Sequence, residues 1–488
     1  MRFYTLISLI VCVSGCAARA VPPSMPSGSS PQNIILIIGD GMGPQQVSLA
    51  FAHERFSRHK HAGISALTRF FASSLIGMHI PFTENHLVND SACSATQLGS
   101  GCACEPQQVG MDSRSVPCEN AAEAAHKMGM RTAAISDTRL THATPASFGV
   151  HEEHRGHEDS IAWKLSNSSL DIMLSGGLAY FAPSSGSLGE KPLCGRTTVA
   201  SKRKDALNPL ENAMKRGLNV VCDEEGLEEG SLPLLGLFAE RDMGDAFHEG
   251  RDGEPTLVEM SERALTLLDN PKGFFMMVEA GQIDWAGHAN DAGWLLAEMK
   301  RLGNLLSAIE DFTKRHPDTL VLLTGDHETG GFGFSYKDST VGGESSGHAK
   351  ETKLDFAPAG LIDVLDSSSM SLKDIMKQFS SLPQVDRTPG KLREMVFTGT
   401  GQRLSPQDAQ AILDTPLERS PFYPYSDYLP SARLASRLAP HTNIAWSTGT
   451  HTSTPIPIFA AGPGGERFRG VMTSKEFGEQ LLQIVKRR

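Results

Sequence analysis

The sequence predicts an α/β fold: a three-layer α/β/α sandwich around a central, mostly parallel sheet, with one inserted subdomain. Three observations predict it. Apolar runs without alternation, at residues 33–38, 273–278 and 319–323, read as strands buried on both faces. These runs alternate with segments of helical spacing, the pattern of a parallel sheet with crossover helices. Several strand exits carry Asp, Glu or His, and open α/β sheets bind ligands at the carboxyl ends of their strands.

The chain starts with material outside that fold. Arg2 precedes an apolar stretch at 3–13, too short to span a bilayer but right for a secretory leader. Its end, Val13-Ser14-Gly15-Cys16, resembles a bacterial lipoprotein cleavage box with Cys16 as the lipid-modified first residue. The rival is cleavage after Ala18-Arg19-Ala20. Residues 1–15 are then a signal peptide and 16–31 a flexible tether. Either reading exports the protein, to the periplasm or to the membrane surface of the cell envelope. Export permits disulfides. Of eight cysteines, setting aside Cys12 and Cys16 leaves six. Short loops favour Cys194 with Cys222, and Cys118 with Cys102 or Cys104; Cys93 reads as a small packing residue. No spacing suggests a structural zinc knuckle.

Hydrophobic content of 40% and charged content of 21% describe an ordinary globular protein. A net charge of −11 argues against a nucleic-acid reader, which needs a basic face. Any anion site must make its own positive field, from metal ions or a placed Arg.

The first strand, 33–38, exits into Gly39-Asp40-Gly41-Met42-Gly43-Pro44. A dinucleotide loop fits poorly, because the third glycine of G-x-G-x-x-G falls on Pro44 and Asp40 would face a pyrophosphate. A carboxylate with glycines allowing close approach suits a metal better, and a plain strand-exit turn is the alternative. Next comes Asp90-Ser91-Ala92-Cys93-Ser94-Ala95-Thr96. Small residues around Ser91 suit a nucleophile at a helix start, although an Asp-Ser pair is more often only a cap or turn.

A helix at 119–128 and a strand at 131–136 lead to Thr141-His142-Ala143-Thr144-Pro145-Ala146, where His142 and Thr144 share a side if the chain is extended. The charged run 150–157 only superficially matches H-E-x-x-H and reads mostly as a solvated helix face. Strands follow at 170–174, 218–221 and 234–238, then a helix at 254–268. The strand at 273–278 ends in Glu279, after which Asp284 and His288 stand at i and i+4 of a short helix. The strand at 319–323 ends in Thr324-Gly325-Asp326-His327-Glu328. From 336 to 441 the pattern weakens into short helices, such as 372–379 and 406–413, and reads as an insert. The core resumes at Thr450-His451-Thr452, a strand at 456–460 and a last helix at 474–485. The fold proper is thus 32–335 with 442–488.

Taken together these motifs resemble the alkaline phosphatase family. The match runs through Gly39 to Gly43, Asp90 to Thr96, His142-Ala143-Thr144-Pro145, Glu279 to His288, Thr324 to Glu328 and Thr450 to Thr452. The resemblance implies two zinc ions and one magnesium ion per subunit. Asp284, His288 and His451 would hold one zinc. Asp326, His327 and Asp40 would hold the second, with Ser91 as its exchangeable ligand. Asp40, Thr144 and Glu279 would hold the third ion, with His142 close by. Arg155, at the family's spacing after His142, would clamp two phosphoryl oxygens, positioned by Asp90. The implied reaction is hydrolysis of small phosphate monoesters. Ser91, activated by zinc, takes the phosphoryl group, and a water activated on the other zinc releases it. The planar guanidinium fork suits non-bridging oxygens better than a Lys would. The resemblance also implies a homodimer, with 336–441 as a crown-like subdomain.

Two departures stand out. Trp285 replaces the Lys or His of the best-known members, and Trp brings no charge and accepts no hydrogen bond. His142 stands where some members have Asp, which favours zinc over magnesium at the third site. Two other functions compete. A sulfatase or diesterase on the same fold is disfavoured because Ser91 lacks a C/S-x-P-x-R context and Arg155 favours monoesters. A surface lipoprotein that only binds phosphate or metal is disfavoured by retention of nucleophile, ligands and Arg together.

Overall fold

The structure is a computed structural model describing residues 30–188, 193, 195–251, 253–338 and 354–487. The leader, most of the tether with Cys16, and Cys194 lie outside the described residues.

Ten strands form one sheet: β1 (Asn33–Gly39), β2 (Leu75–Ile80), β3 (Arg131–Arg139), β4 (Ile172–Gly176), β5 (Asn219–Val221), β6 (Leu234–Leu237), β7 (Phe274–Ala280), β8 (Thr319–Gly325), β9 (Ile456–Ala461) and β10 (Gly470–Thr473). Their order is β10-β2-β9-β8-β1-β7-β3-β4-β6-β5. β1 lies near the middle, parallel to both β7 and β8. β9 alone runs against its neighbours β8 and β2. Successive residues of β1 feed opposite cores: Ile35 and Ile37 face one apolar layer, Ile34, Leu36 and Ile38 the other. That is why the run shows no alternation.

Helices cover both faces. Ala292–Arg315 packs with Ala62–Ser73 on one, and Ser91–Ser100, Ala121–Lys127 and Ser474–Lys486 lie on the other. Apolar residues between Leu372 and Leu438 make a third, separate cluster. No helix among the described residues is long and apolar enough to cross a membrane.

Three local expectations are corrected. Thr141 to Ala146 is not extended: His142 precedes a single helical turn, Ala143–Ala146. Pro145 is tolerated there because the first-turn N–H groups have no intrahelical partner anyway. Residues 150–157 form no helix. Glu152 bridges to Val109 and is buried, holding Lys164, His157 and Ser160, so tertiary ion pairing overrides the charged-helix pattern. The next helix starts only at Glu158.

Cys93 is not a mere packing residue, since it is bonded to Cys104. Gly101, at φ 67°, ends the Ser91–Ser100 helix and turns the chain back so that Cys104 reaches Cys93. Cys118 pairs with Cys102. Cys222 is also disulfide-bonded.

Candidate functional site

The strand exits converge as the parallel topology dictates. β1 delivers Asp40, β7 carries Glu279 as its penultimate residue, β8 leads into Asp326 and His327, and the chain after β3 delivers His142 and Thr144. β9 runs the other way, so the residues before it, including His451, lie at the same end. Three sets of side chains each bring their ligand atoms within 4.8 Å of one another: Asp284 with His288 and His451; Asp40 with Asp326 and His327; Asp40 with His142 and Glu279.

In the first set the helix Gln282–His288 presents Asp284 and His288 one turn apart. His288 Nε2 is 3.1 Å from Asp284 Oδ2, and His451 Nε2 is 3.7 Å from Asp284 Oδ1. Each imidazole turns Nδ1 to a backbone carbonyl, Gly449 at 2.8 Å for His288 and Asn89 at 2.9 Å for His451. Donation from Nδ1 fixes the tautomer and leaves Nε2 as a lone-pair donor toward the shared carboxylate, the arrangement a metal-ligating histidine needs.

In the second set His327 Nε2 is 3.2 Å from Asp326 Oδ2, 3.5 Å from Asp40 Oδ1 and 3.3 Å from Ser91 Oγ. Asp326 Oδ1 accepts from the backbone N–H of Gly41 at 3.1 Å. That contact needs glycine: Gly41 has φ 78°, and a Cβ there would lie 2.6 Å from the Asp284 backbone. The third set is tied by His142 Nδ1 to Glu279 Oε1 at 3.0 Å and by Thr144 Oγ1 donating to Asp40 Oδ2 at 3.3 Å.

Electrostatics show what this centre lacks by itself. Burial, then repulsion from Asp326, Asp284 and Glu279, pushes the Asp40 carboxyl well above its usual range. Burial, then Asp284, pushes Asp326 up to about 8. Burial also opposes ionisation of Asp284, but His288, His451 and His327 outweigh it and hold that carboxyl well below its ordinary value. Asp40 Oδ1 and Asp326 Oδ2 are buried with no hydrogen-bond partner among the described residues. Orphaned, crowded carboxylate oxygens beside imidazoles fit divalent cations. Mixed His and carboxylate sets suit zinc, while Asp, Glu and Thr oxygens suit a harder ion.

Ser91 opens the helix Ser91–Ser100, capped by Asp90, whose Oδ1 accepts from the Cys93 N–H at 3.2 Å. Arg155 Nη1 donates to Asp90 Oδ2 at 3.1 Å, and its Nη2 donates to His142 Nε2 at 3.2 Å. A guanidinium only donates, so His142 Nε2 must accept and its proton sits on Nδ1, facing Glu279. A continuous chain Asp90–Arg155–His142–Glu279 thus crosses the site. The charged run at 150–157 matters because it delivers Arg155.

The structure brings all twelve expected residues to one end of the sheet, and adds some that sequence reasoning missed. Gln107 donates to Asp90 through its backbone N–H at 3.0 Å and Nε2 at 3.1 Å, while its carbonyl accepts from the Arg155 N–H at 2.8 Å. It does so at φ 75°, on a loop without any distinctive pattern. Glu328, buried, takes hydrogen bonds from Gln46, Gly331 and Thr452, bracing the strip that carries His327 and His451. Tyr425 and Tyr428 come from the expected insert, yet their rings lie 4.7 and 5.7 Å from His288. Trp285 meets His142 edge-on, with ring centroids 6.2 Å apart.

Comparison with known proteins agrees with this geometry. Alkaline phosphatase 4 of Bacillus subtilis is 27% identical over 468 residues, covering 93% of this chain and 89% of its own. The alkaline phosphatase of Schizosaccharomyces pombe is 27% identical over 475 residues, covering 94% and 82%. The solved alkaline phosphatase of Thermus thermophilus shares the fold with a TM-score of 0.78 at 23% identity, over 95% of this chain and 93% of that one. The alkaline phosphatase family profile matches residues 31–357, and with the metal-ligand sets gathered at the strand exits the chain belongs to that family.

Proposed function

We propose that this chain is a metal-dependent phosphomonoesterase that works through a phosphoserine on Ser91. The observation that carries the reading is Ser91 Oγ, at a helix start, 3.3 Å from His327 Nε2 and thus beside the Asp40, Asp326 and His327 set. Asp284, His288 and His451 would hold one zinc ion, and Asp40, Asp326 and His327 the other. Asp40, Thr144 and Glu279, with His142 beside them, would hold magnesium or, given the imidazole, zinc. When bound, such ions supply Lewis-acid stabilisation of the attacking and leaving oxygens and lower the pKa of the serine hydroxyl.

The chain's own groups do the rest. Arg155 grips two non-bridging oxygens with its fork and neutralises their charge. Asp90 and Gln107 hold that fork in place. Ser91 attacks phosphorus in line, the ester P–O bond breaks and the alcohol leaves; water then cleaves the Ser91–phosphoryl bond and releases phosphate. A diester carries a further substituent where the fork would bind, which favours monoesters.

Hydrolysis of a chromogenic phosphate monoester, with and without chelator, tests this on wild type and Ser91→Ala. Activity that needs metal and is lost in Ser91→Ala is expected. Full activity in Ser91→Ala would remove the covalent route. The leader supports export and lipid attachment at Cys16, and mass spectrometry of the mature N-terminus decides it: an unmodified start at Val21 would reject the anchor. A homodimer, and a crown-like role for 336–441, rest on the family resemblance; sedimentation of the mature protein tests the dimer.

A further inference from the structure

Tyr425 stands against the site through His288. Its ring meets the His288 imidazole edge-on at 4.7 Å and the Tyr428 ring edge-on at 6.5 Å. Tyr428 is itself fixed, stacked on His288 at 5.7 Å and with Lys373 Nζ 4.8 Å from its ring centre. Tyr425 is therefore seated on a rigid base, yet 45% of its surface stays exposed. Its hydroxyl has no hydrogen-bond partner among the described residues, and it lies within the fields of Asp284, Arg155 and Asp90. Its contact with His288 places it against the Asp284, His288 and His451 set.

In-line displacement gives the site a direction. Ser91 approaches phosphorus from the His327 side, so the leaving alcohol departs on the opposite side. That side is the Asp284, His288 and His451 set, with Tyr425 over it. A half-exposed aromatic ring on a fixed base beside that set offers a flat apolar surface to the emerging leaving group.

We propose that Tyr425 is a specificity-determining residue whose exposed ring packs against the leaving group, favouring monoesters of flat aromatic alcohols over those of small alkyl alcohols. The proposal rests on the monoesterase reading and names the substrate class that site prefers. The test compares kcat/KM for phenyl phosphate and for glycerol 2-phosphate in wild type, Tyr425→Phe and Tyr425→Leu, all loaded with zinc and magnesium. In Tyr425→Leu the phenyl-to-glycerol ratio should fall roughly 3- to 10-fold, through the KM for phenyl phosphate, the size of an aromatic packing contact. Tyr425→Phe should keep the wild-type ratio, because the ring and not the hydroxyl makes the contact. An unchanged ratio in Tyr425→Leu, or an equal loss in Tyr425→Phe, overturns the assignment while the monoesterase reading stands. Failure of wild type to hydrolyse either ester overturns both.

Discussion

Arg155 owes its usefulness to the groups that hold it. Its two terminal nitrogens are spoken for by Asp90 and His142, and its backbone N–H by the Gln107 carbonyl. A Lys in its place keeps the charge but cannot hold both anchors and also present a planar fork. Arg155→Ala should weaken competitive inhibition by inorganic phosphate about 10- to 100-fold, the range for losing a charge-assisted hydrogen bond. Unchanged inhibition would remove the clamp. Gln107→Ala loses a side-chain hydrogen bond to Asp90 and nothing from the reacting groups. It should raise KM about 2- to 5-fold with a smaller effect on kcat; a loss confined to kcat would contradict a positioning role. Gln107 was not legible in the sequence, because its contribution depends on a left-handed turn that no spacing announces. Asp40, His142, Glu279, Asp284, His288, Asp326 and His327 were legible, because each lies at the end of or after an apolar strand or sits one helical turn from a partner, whereas His451 precedes its strand and was read only from the family resemblance.

At the scale of elements, the buried His79 in β2 ties three pieces together. Its Nδ1 pairs with Ser474 Oγ at 2.8 Å at the start of the last helix, and its Nε2 reaches Thr324 Oγ1 at 3.1 Å and the Gly325 carbonyl at 2.9 Å at the end of β8. Burial, only partly offset by the Gly325 carbonyl, pulls its pKa down to about 4 from 6.5. The folded state therefore binds fewer protons than the unfolded one between those values, and stability rises with pH there. The contribution is full above pH 6.5 and is lost as pH falls toward 4. Urea unfolding at pH 7.5 and 5, compared between wild type and His79→Gln, should show a smaller acid loss in the variant. Equal losses would place the acid sensitivity elsewhere.

The strand runs and the last helix of the chain were readable from apolar pattern, whereas the helices Pro44–Phe56 and Ala62–Ser73 were not. The edge strand β10 and its neighbour β2 were not, since β2 is only partly covered and β10 mostly exposed. Ala292–Arg315 carries a helical stripe at Leu295, Met299, Leu302, Leu306 and Ile309, which a reading anchored on strand exits passes over. The single turn after His142 was hidden by a proline that usually signals a break.

At the scale of the molecule, a chain of net charge −11 gathers its buried carboxylates at one end of the sheet. Asp40, Asp326, Asp284 and Glu279 repel one another there. Ligands that bind only the folded state add stability in proportion to the logarithm of their concentration over Kd. Chelation should therefore lower the unfolding temperature as well as abolish activity, and zinc with magnesium should restore both. An unfolding temperature indifferent to chelator would contradict cation binding at these carboxylates. Assembly of the centre from both sides of the sequence, 40 to 327 and then 451, explains why no single motif identified it. Asp90-Ser91 alone reads as a helix cap, and its meaning comes from strands far away in the chain.

The most direct measurement is to follow the phosphoryl group itself. The loaded enzyme, mixed with a phosphate monoester labelled in the phosphoryl group and quenched in acid, is digested and its peptides mapped. Label is expected on the peptide containing Ser91, assigned to its Oγ and absent from Ser91→Ala. Turnover with no labelled Ser91, or label on another residue, would contradict the phosphoserine route.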